Sequence, residues 1–216
     1  MRLGLIGDVH AEDQKLRVVL DVLRAEAVDR TLCVGDLVDG PGDPNRAIAL
    51  LGEAGVECVR GNHDRWLLEG SMRDLPDAHH ARDLTPDSIA SLKALPLTRA
   101  YDAPVGKLVL CHGVGENDMQ ELKPDERGYG ISSKKELLAL LFDVNVAWMV
   151  GGHTHRSMVR PFPRGGDKAP LVVVNPGTLL TGHDPCFAVM DIARRRVDFY
   201  DISDDLRVTP GSRAVL

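Results

Sequence analysis

MRLGLIGDVH at residues 1–10, RTLCVGDLVDG at 30–40 and VECVRGNHD at 56–64 repeat one pattern: a short apolar run that stops at a glycine and an acid or amide. Each run is shorter than a buried helix and rich in aliphatic residues and cysteine, so residues 3–6, 31–34 and 56–59 are predicted strands. Between the first two runs, Leu16, Val19, Leu20, Leu23 and Ala27 recur at i, i+3, i+4, i+7. That spacing predicts a helix over residues 12–28, and a second is predicted over 44–54. Strands alternating with helices are βαβ units, the organisation of an α/β fold with parallel pairing.

Outward from this frame the pattern changes. Residues 65–84 are polar, include the adjacent His79 and His80, and have no clean period, which predicts an irregular insertion. Thr85-Pro86 reads as the N-cap and first residue of a helix ending before Pro96. A strand is predicted over 107–111, a glycine-rich loop over 113–131, and a helix over 134–142 opened by a Ser133-x-x-Glu136 capping box. Further strands are predicted over 146–150, 171–174, 186–192 and 197–202. The last three follow one another without helices, so antiparallel pairing is expected there and the sheet system is mixed. Residues 204–216 read as a frayed tail. A chain of 216 residues fits one domain, 1–216.

The balance of 26 Lys and Arg against 32 Asp and Glu, a net charge of −6, argues against a protein that holds nucleic acid by neutralising phosphates. No stable nucleic-acid partner is expected; oligomeric state is not legible. Four cysteines, at 33, 58, 111 and 186, form no CxxC pair, which fits a reducing, cytoplasmic setting. No apolar run reaches the roughly 18 residues that would span a bilayer, so no membrane association is expected. A small anionic substrate would need a local source of positive charge.

Six polar clusters each follow a predicted strand: Asp8-x-His10, Gly35-Asp36-x-x-Asp39, Gly61-Asn62-His63-Asp64, His112-Gly113, His153-x-His155 and Asn175-Pro176-Gly177. In open α/β sheets the binding crevice lies at the C-terminal strand ends, where such clusters converge. D-x-H alone carries little weight; Asp77-Ala78-His79 repeats it inside the insertion and reads as a decoy. G-N-H-D is stronger, with about 0.002 matches expected by chance in a chain of this composition. Imidazole, carboxylate and amide oxygens suit Zn, Mn, Fe, Ni or Co. With Asp8, His10, Asp36, Asn62, His112, His153 and His155 as ligands, two carboxylates against two dications leave the centre positive, able to hold a phosphate ester.

In this order, D-x-H, GDxxD, GNHD, a lone His-Gly and GHTH resemble the calcineurin-like metallophosphoesterase superfamily. The Asn175-Pro176-Gly177-Thr178 turn resembles that of its small, cap-less bacterial and archaeal phosphodiesterase branch. The resemblance implies a four-layer α/β/β/α sandwich with two mixed β-sheets. It implies that Asp8, His10 and His155 hold one divalent metal and Asn62, His112 and His153 another, with Asp36 bridging. Manganese is the first candidate, with iron, zinc, nickel and cobalt as alternatives. It further implies in-line attack by a hydroxide held between the ions, with His63 protonating the departing alkoxide and Asp64 orienting His63. Asp39 reads as a supporting acceptor, and Arg65, Arg127 and Tyr129 as substrate contacts.

One departure bears on substrate. The protein-phosphatase branch reads GDxVDRG and then GNHE, whereas here Gly40 follows Asp39 and Asp64 closes the later motif. A phosphomonoester dianion gains from a guanidinium fork, and without that arginine a small phosphodiester is the expected substrate. Monoesters such as nucleotides or phosphoproteins are the alternative. A non-catalytic scaffold of the same fold is the other, and the intact His63 argues against it.

Overall fold

The computed structural model describes residues 1–215, and side-chain alternation along its strands assigns each residue to a layer. β1 (Arg2–Ile6) leads through α1 (Asp13–Ala25) to β2 (Arg30–Cys33), then through α2 (Pro44–Glu53) to β3 (Glu57–Cys58). α3 (Asn62–Glu69) and α4 (Pro86–Ala94) precede a hairpin of β4 (Thr98–Ala103) and β5 (Gly106–Cys111). α5 (Tyr129–Ser132) and α6 (Lys135–Phe142) lead to β6 (Val146–Val150), β7 (Met158–Phe162) and β8 (Leu171–Asn175). β9 (Cys186–Asp191), β10 (Arg196–Ile202) and β11 (Val208–Val215) end the described chain.

The strands form two mixed sheets, ordered β11-β10-β9-β1-β2-β3 and β4-β5-β6-β8-β7. β1 pairs parallel with β2 and antiparallel with β9, and β6 runs parallel to both β5 and β8. Leu3 and Leu5 of β1 face Leu108, Leu110, Trp148, Val150, Val172 and Val174 across the sandwich. Ile6, Phe187 and Val189, on the opposite face of the first sheet, pack with Leu16, Leu20, Leu23 and Leu51 of α1 and α2. Cys111, Met149, Leu171 and Val173 cover the outer face of the second sheet with Leu137 of α6. The three cores define an α/β/β/α sandwich, as the resemblance implies. Period-2 strands produce this: one face meets the other sheet while the next residue meets helices.

Several expectations need correction. The insertion expected from residue 65 begins later, because α3 runs through GNHD to Glu69 and closes on Gly70 in the left-handed conformation, φ +68°. The tail expected to fray from residue 204 is a strand over residues 208–215, paired antiparallel with β10; Leu216 lies outside the described residues. The strands β4, β7 and β11 escape the periodicity reading because β7 and β11 carry Pro161 and Pro210, which edge strands tolerate, and β4 has alternating half-exposed residues. The Ser133–Glu136 capping box does not form; Lys134 is the N-cap of α6 and makes no side-chain cap. β8 is antiparallel only to β7, its other neighbour β6 being parallel. Among the described residues, no helix is long and apolar enough to cross a membrane.

Candidate active site

Six strands deliver the six clusters to one end of the sandwich, the last being β8 before Asn175, and turn chemistry fixes their side chains there. Asp8 and His10 follow β1, Asp36 and Asp39 follow β2, and the GNHD residues open α3 behind β3. His112 follows β5, and His153 and His155 follow β6. His10, Asp36, Asp39, His153 and His155 all adopt the left-handed backbone region, with φ between +47° and +67°. Such conformations cost on the order of 1–3 kcal/mol each in non-glycine residues and persist where surrounding contacts over-determine them. Close approach explains two glycines: a Cβ on Gly61 would collide with Asp36 Oδ1, and one on Gly40 with the His10 carbonyl oxygen. Asn175 is a tether, donating from Nδ2 to Gly152 O (2.9 Å) and Thr154 Oγ1 (3.1 Å) while accepting from Gly177 N (2.8 Å).

Around this frame the candidate ligands converge. Nitrogen and oxygen atoms of His10, Asp36 and His155 lie within 4.8 Å of one another, as do those of Asp36, His112 and His153, so Asp36 belongs to both groups. His10 Nδ1 donates to the Asp39 carbonyl at 2.6 Å, which turns its Nε2 lone pair toward His155 Nε2 at 3.0 Å. His112 Nδ1 donates to Val34 O at 2.9 Å, and its Nε2 faces Asn62 Oδ1 at 2.9 Å and Asp36 Oδ2 at 3.2 Å. Asn62 Oδ1 also faces His153 Nδ1 at 2.9 Å. Asp8 is buried, with Oδ1 accepting from His153 N at 3.1 Å and Oδ2 without a hydrogen-bond partner. Convergent imidazole, amide and carboxylate atoms with an orphaned buried carboxylate oxygen among them favour positive charge placed between them, whether a proton or a metal ion. The donor set therefore fits divalent cations of intermediate softness.

The acid–base balance has the same character. Burial alone would raise the Asp36 carboxyl, but the charge of and hydrogen bond from His112, with His10 and His63, hold it below the usual carboxylate range. Burial would lower His112, yet Asp36 and Asp8 raise it to about 10. Burial, opposed by His112, raises Asp8 to about 7. Burial and the charge of His10 lower His155 to about 3. Without a metal, these shifts favour a proton on His112 beside an ionised Asp36.

His63 sits at the rim. Its backbone N–H donates to Asp36 Oδ1 at 2.9 Å, and its ring meets His10 and Trp66 edge-on, with centroids 5.0 and 4.8 Å away. The expectation that Asp64 orients this ring is corrected by the structure. Asp64 is fully buried and its two oxygens accept the backbone N–H groups of Leu37 (2.8 Å) and Gly61 (2.9 Å). Asp64 therefore staples the start of α3 to the loop after β2. The carboxylate that meets His63 is Asp39, whose Oδ2 accepts from His63 Nδ1 at 2.8 Å. Burial would lower His63, but the hydrogen bond to Asp39 and the charge of Asp36 raise it above the ordinary imidazole value.

The expected substrate contacts fare differently. Arg65 is committed to Asp118, at 2.7 and 3.1 Å, and to Glu69. Arg127 donates to the backbone of Pro124 and Glu126, and Tyr129 is 84% exposed; among the described residues neither is bonded to the cluster. Three residues near the cluster carry no sequence signal for that position. Arg73 and His79, from the segment after α3, bond Asp39, and the exposed His183 ring lies 5.1 Å from that of His155. The supposed decoy Asp77-Ala78-His79 thus reaches the site through His79.

A sequence profile of the calcineurin-like phosphoesterase superfamily domain matches residues 1–195. An uncharacterized protein of Methanocaldococcus jannaschii is 23% identical over 117 residues, 51% of this chain; the match spans about half of that relative, 48% of its length. Among solved structures, a metallophosphoesterase from Sphaerobacter thermophilus superposes with a TM-score of 0.69 at 21% identity, covering 94% of this chain and 88% of that one. YfcE, a phosphoesterase from E. coli, superposes with a TM-score of 0.57 at 17% identity, covering 100% and 99%. Vps29 of Entamoeba histolytica gives a TM-score of 0.57 at 19% identity, also covering 100% and 99%. At these identities the structural likenesses establish the fold.

Proposed function

The chain belongs to the calcineurin-like phosphoesterase superfamily, and on that premise we propose that it hydrolyses small phosphodiesters with the help of two divalent cations. Asp8, His10 and His155 would hold one cation and Asn62, His112 and His153 the other, with Asp36 shared. When bound, such ions supply Lewis-acid charge for the phosphoryl oxygens and lower the pKa of water toward neutrality. The observation that carries the reading is the inward convergence of acceptors at His112 Nε2, Asn62 Oδ1, Asp36 Oδ2 and the unpartnered Asp8 Oδ2.

The chain's own residues do the remaining work. His63, with Nδ1–H anchored on Asp39, has Nε2 left to deliver a proton to the departing oxygen, and the carboxylate stabilises the imidazolium before delivery. The carbonyls of Asp39 and Val34 accept from Nδ1 of His10 and His112, which would leave each Nε2 free to face a bound cation once any proton there is displaced. The diester preference is supported by the committed arginines: Arg65 is paired with Asp118 and Arg73 with Asp39, so neither fork is available to a monoester dianion.

The test compares bis(4-nitrophenyl) phosphate with 4-nitrophenyl phosphate, using chelated protein resupplied with Mn²⁺, Fe²⁺, Zn²⁺, Ni²⁺ or Co²⁺. Metal-dependent turnover with the diester faster is expected. Turnover of neither ester refutes the hydrolase reading, and faster monoester turnover with every metal refutes the diester preference.

A further inference from the structure

The segment between α3 and the single 3₁₀ turn at Ala81–Asp83 makes one polar attachment to the candidate site, through Asp39. Arg73 grips that carboxylate as a fork, Nη1 to Oδ1 and Nη2 to Oδ2, both at 2.8 Å. His79 N donates to the same Oδ1 at 2.9 Å, and Asp39 N donates back to His79 Nδ1 at 3.0 Å. The guanidinium also closes its own loop, donating to Ser71 O (2.7 Å) and His79 O (2.5 Å). The Arg73 side chain is 10% exposed and that of Asp39 3%, so water is largely kept from the pair. Each Asp39 oxygen then has two donors, and one of the four is His63 Nδ1.

We propose that Arg73 is a positioning residue for proton delivery, holding the Asp39 carboxylate in the one orientation that keeps His63 aimed at the leaving group. The inference rests on the phosphodiesterase reading above and gives the segment after α3 a purpose. A planar fork fixes a carboxylate in plane and rotation, whereas an ammonium supplies charge without direction. Asp39 also sits at φ +63° and presents its carbonyl to His10, so loosening its side chain need not disturb the backbone that orients His10. Arg73 bonds Asp39, Ser71 O and His79 O and none of the candidate ligands, so its link to the site passes through Asp39.

R73K and R73Q separate positioning from mere loop closure. The first readout uses two diesters, one leaving as 4-nitrophenolate, which needs little proton help, and one leaving as an alkoxide, such as a dinucleoside phosphate. In both variants kcat is expected to fall about 10–100-fold on the alkoxide ester, within the range general-acid catalysis spans, and only a few fold on the aryl ester. The second readout is the His63 Nδ1–H proton in chelated, ¹⁵N-histidine-labelled protein, assigned by its loss in His63→Gln. That signal is expected to be slowly exchanging in the parent and lost or exchanging at least about tenfold faster in R73K, as protection follows local opening. Equal losses on both esters, no loss on either, or an unchanged ring proton would each overturn the proposal. Should the parent protein cleave neither ester with any metal, the hydrolase reading fails, and the ring proton alone decides whether Arg73 holds His63.

Discussion

Asparagine at position 64 and asparagine at position 39 should damage different properties. Each oxygen of Asp64 takes one buried backbone N–H, at 2.8 and 2.9 Å. A carboxamide keeps one acceptor and turns its NH₂ on the other amide, so one buried donor loses its partner at a cost of about 1–3 kcal/mol. For a domain of this length that is a fall in Tm of roughly 2–12 °C. No hydrogen bond joins Asp64 to His63, and its charge is the last of the carboxylate influences that raise that ring, so kcat on an alkoxide-leaving diester is expected to stay within about threefold, less than ~0.7 kcal/mol of barrier. At Asp39 the same change sets an NH₂ against one arm of the Arg73 fork and against either His79 N or His63 Nδ1, and removes the charge that stabilises the imidazolium. There kcat is expected to fall about 10²–10⁴-fold. The assay is steady-state hydrolysis under Mn²⁺ beside calorimetric melting of both variants. The reverse ranking, with Asp64→Asn losing hundreds-fold in rate and Asp39→Asn retaining it, would return the orienting role to Asp64.

Two further outcomes can be checked on the purified protein. His112 is raised to about 10 by its carboxylate neighbours, so its protonation stabilises the fold fully below its unfolded value of 6.5, and that contribution is lost as pH rises toward 10. For this proton the chelated protein should therefore lose up to ~1.4 kcal/mol of stability per pH unit in that window, with His63, Asp8 and Asp64, all also raised, adding to the loss near pH 7. The window is chosen because His10, His153 and His155, all lowered mainly by burial, act in the opposite sense below pH 6.5. Urea titrations at pH 7, 8 and 9 measure the slope, and a flat profile would contradict the proton held at His112. Gly61→Ala tests the packing behind the cluster: its backbone, φ −90° and ψ 177°, tolerates alanine, so the clash of the new Cβ with Asp36 acts alone. Mn²⁺ affinity by calorimetry should weaken about 10–100-fold, as displaced support of a ligand does, and parental affinity would show that Asp36 need not stay where it is.

The sequence is most readable where local pattern and global placement coincide. The βαβ periodicity over residues 1–60 places Asp8, Asp36 and Asn62 at strand ends, and those ends meet because parallel strands share a direction. The GNHD helix was hidden by its polarity: only three of its eight residues, Asn62, Asp64 and Leu67, are buried, too few for a periodic signal. The Gly70 stop was nevertheless in the sequence. Edge strands such as β11, with one pairing partner and a Pro-Gly interruption, carry little alternation to detect. The exchange of Asp64 for Asp39 at His63 has another cause. Adjacency in the motif suggested Asp64, but position N3 of a helix aims a carboxylate back at the N-terminal amides, leaving His63 to the loop after β2. Arg73 and His79 reach Asp39 across 34 and 40 residues, contacts that no single-sequence pattern encodes.

On the proposed reading, the converging side chains form a cage for two cations sharing Asp36. Crystals of chelated protein resupplied with Mn²⁺, measured at the manganese edge, test it most directly. Two anomalous peaks per chain about 3.5–4 Å apart, one on each side of the Asp36 carboxylate, are predicted. A single peak, none at saturating Mn²⁺, or peaks away from His10, His112, His153 and His155 would contradict it.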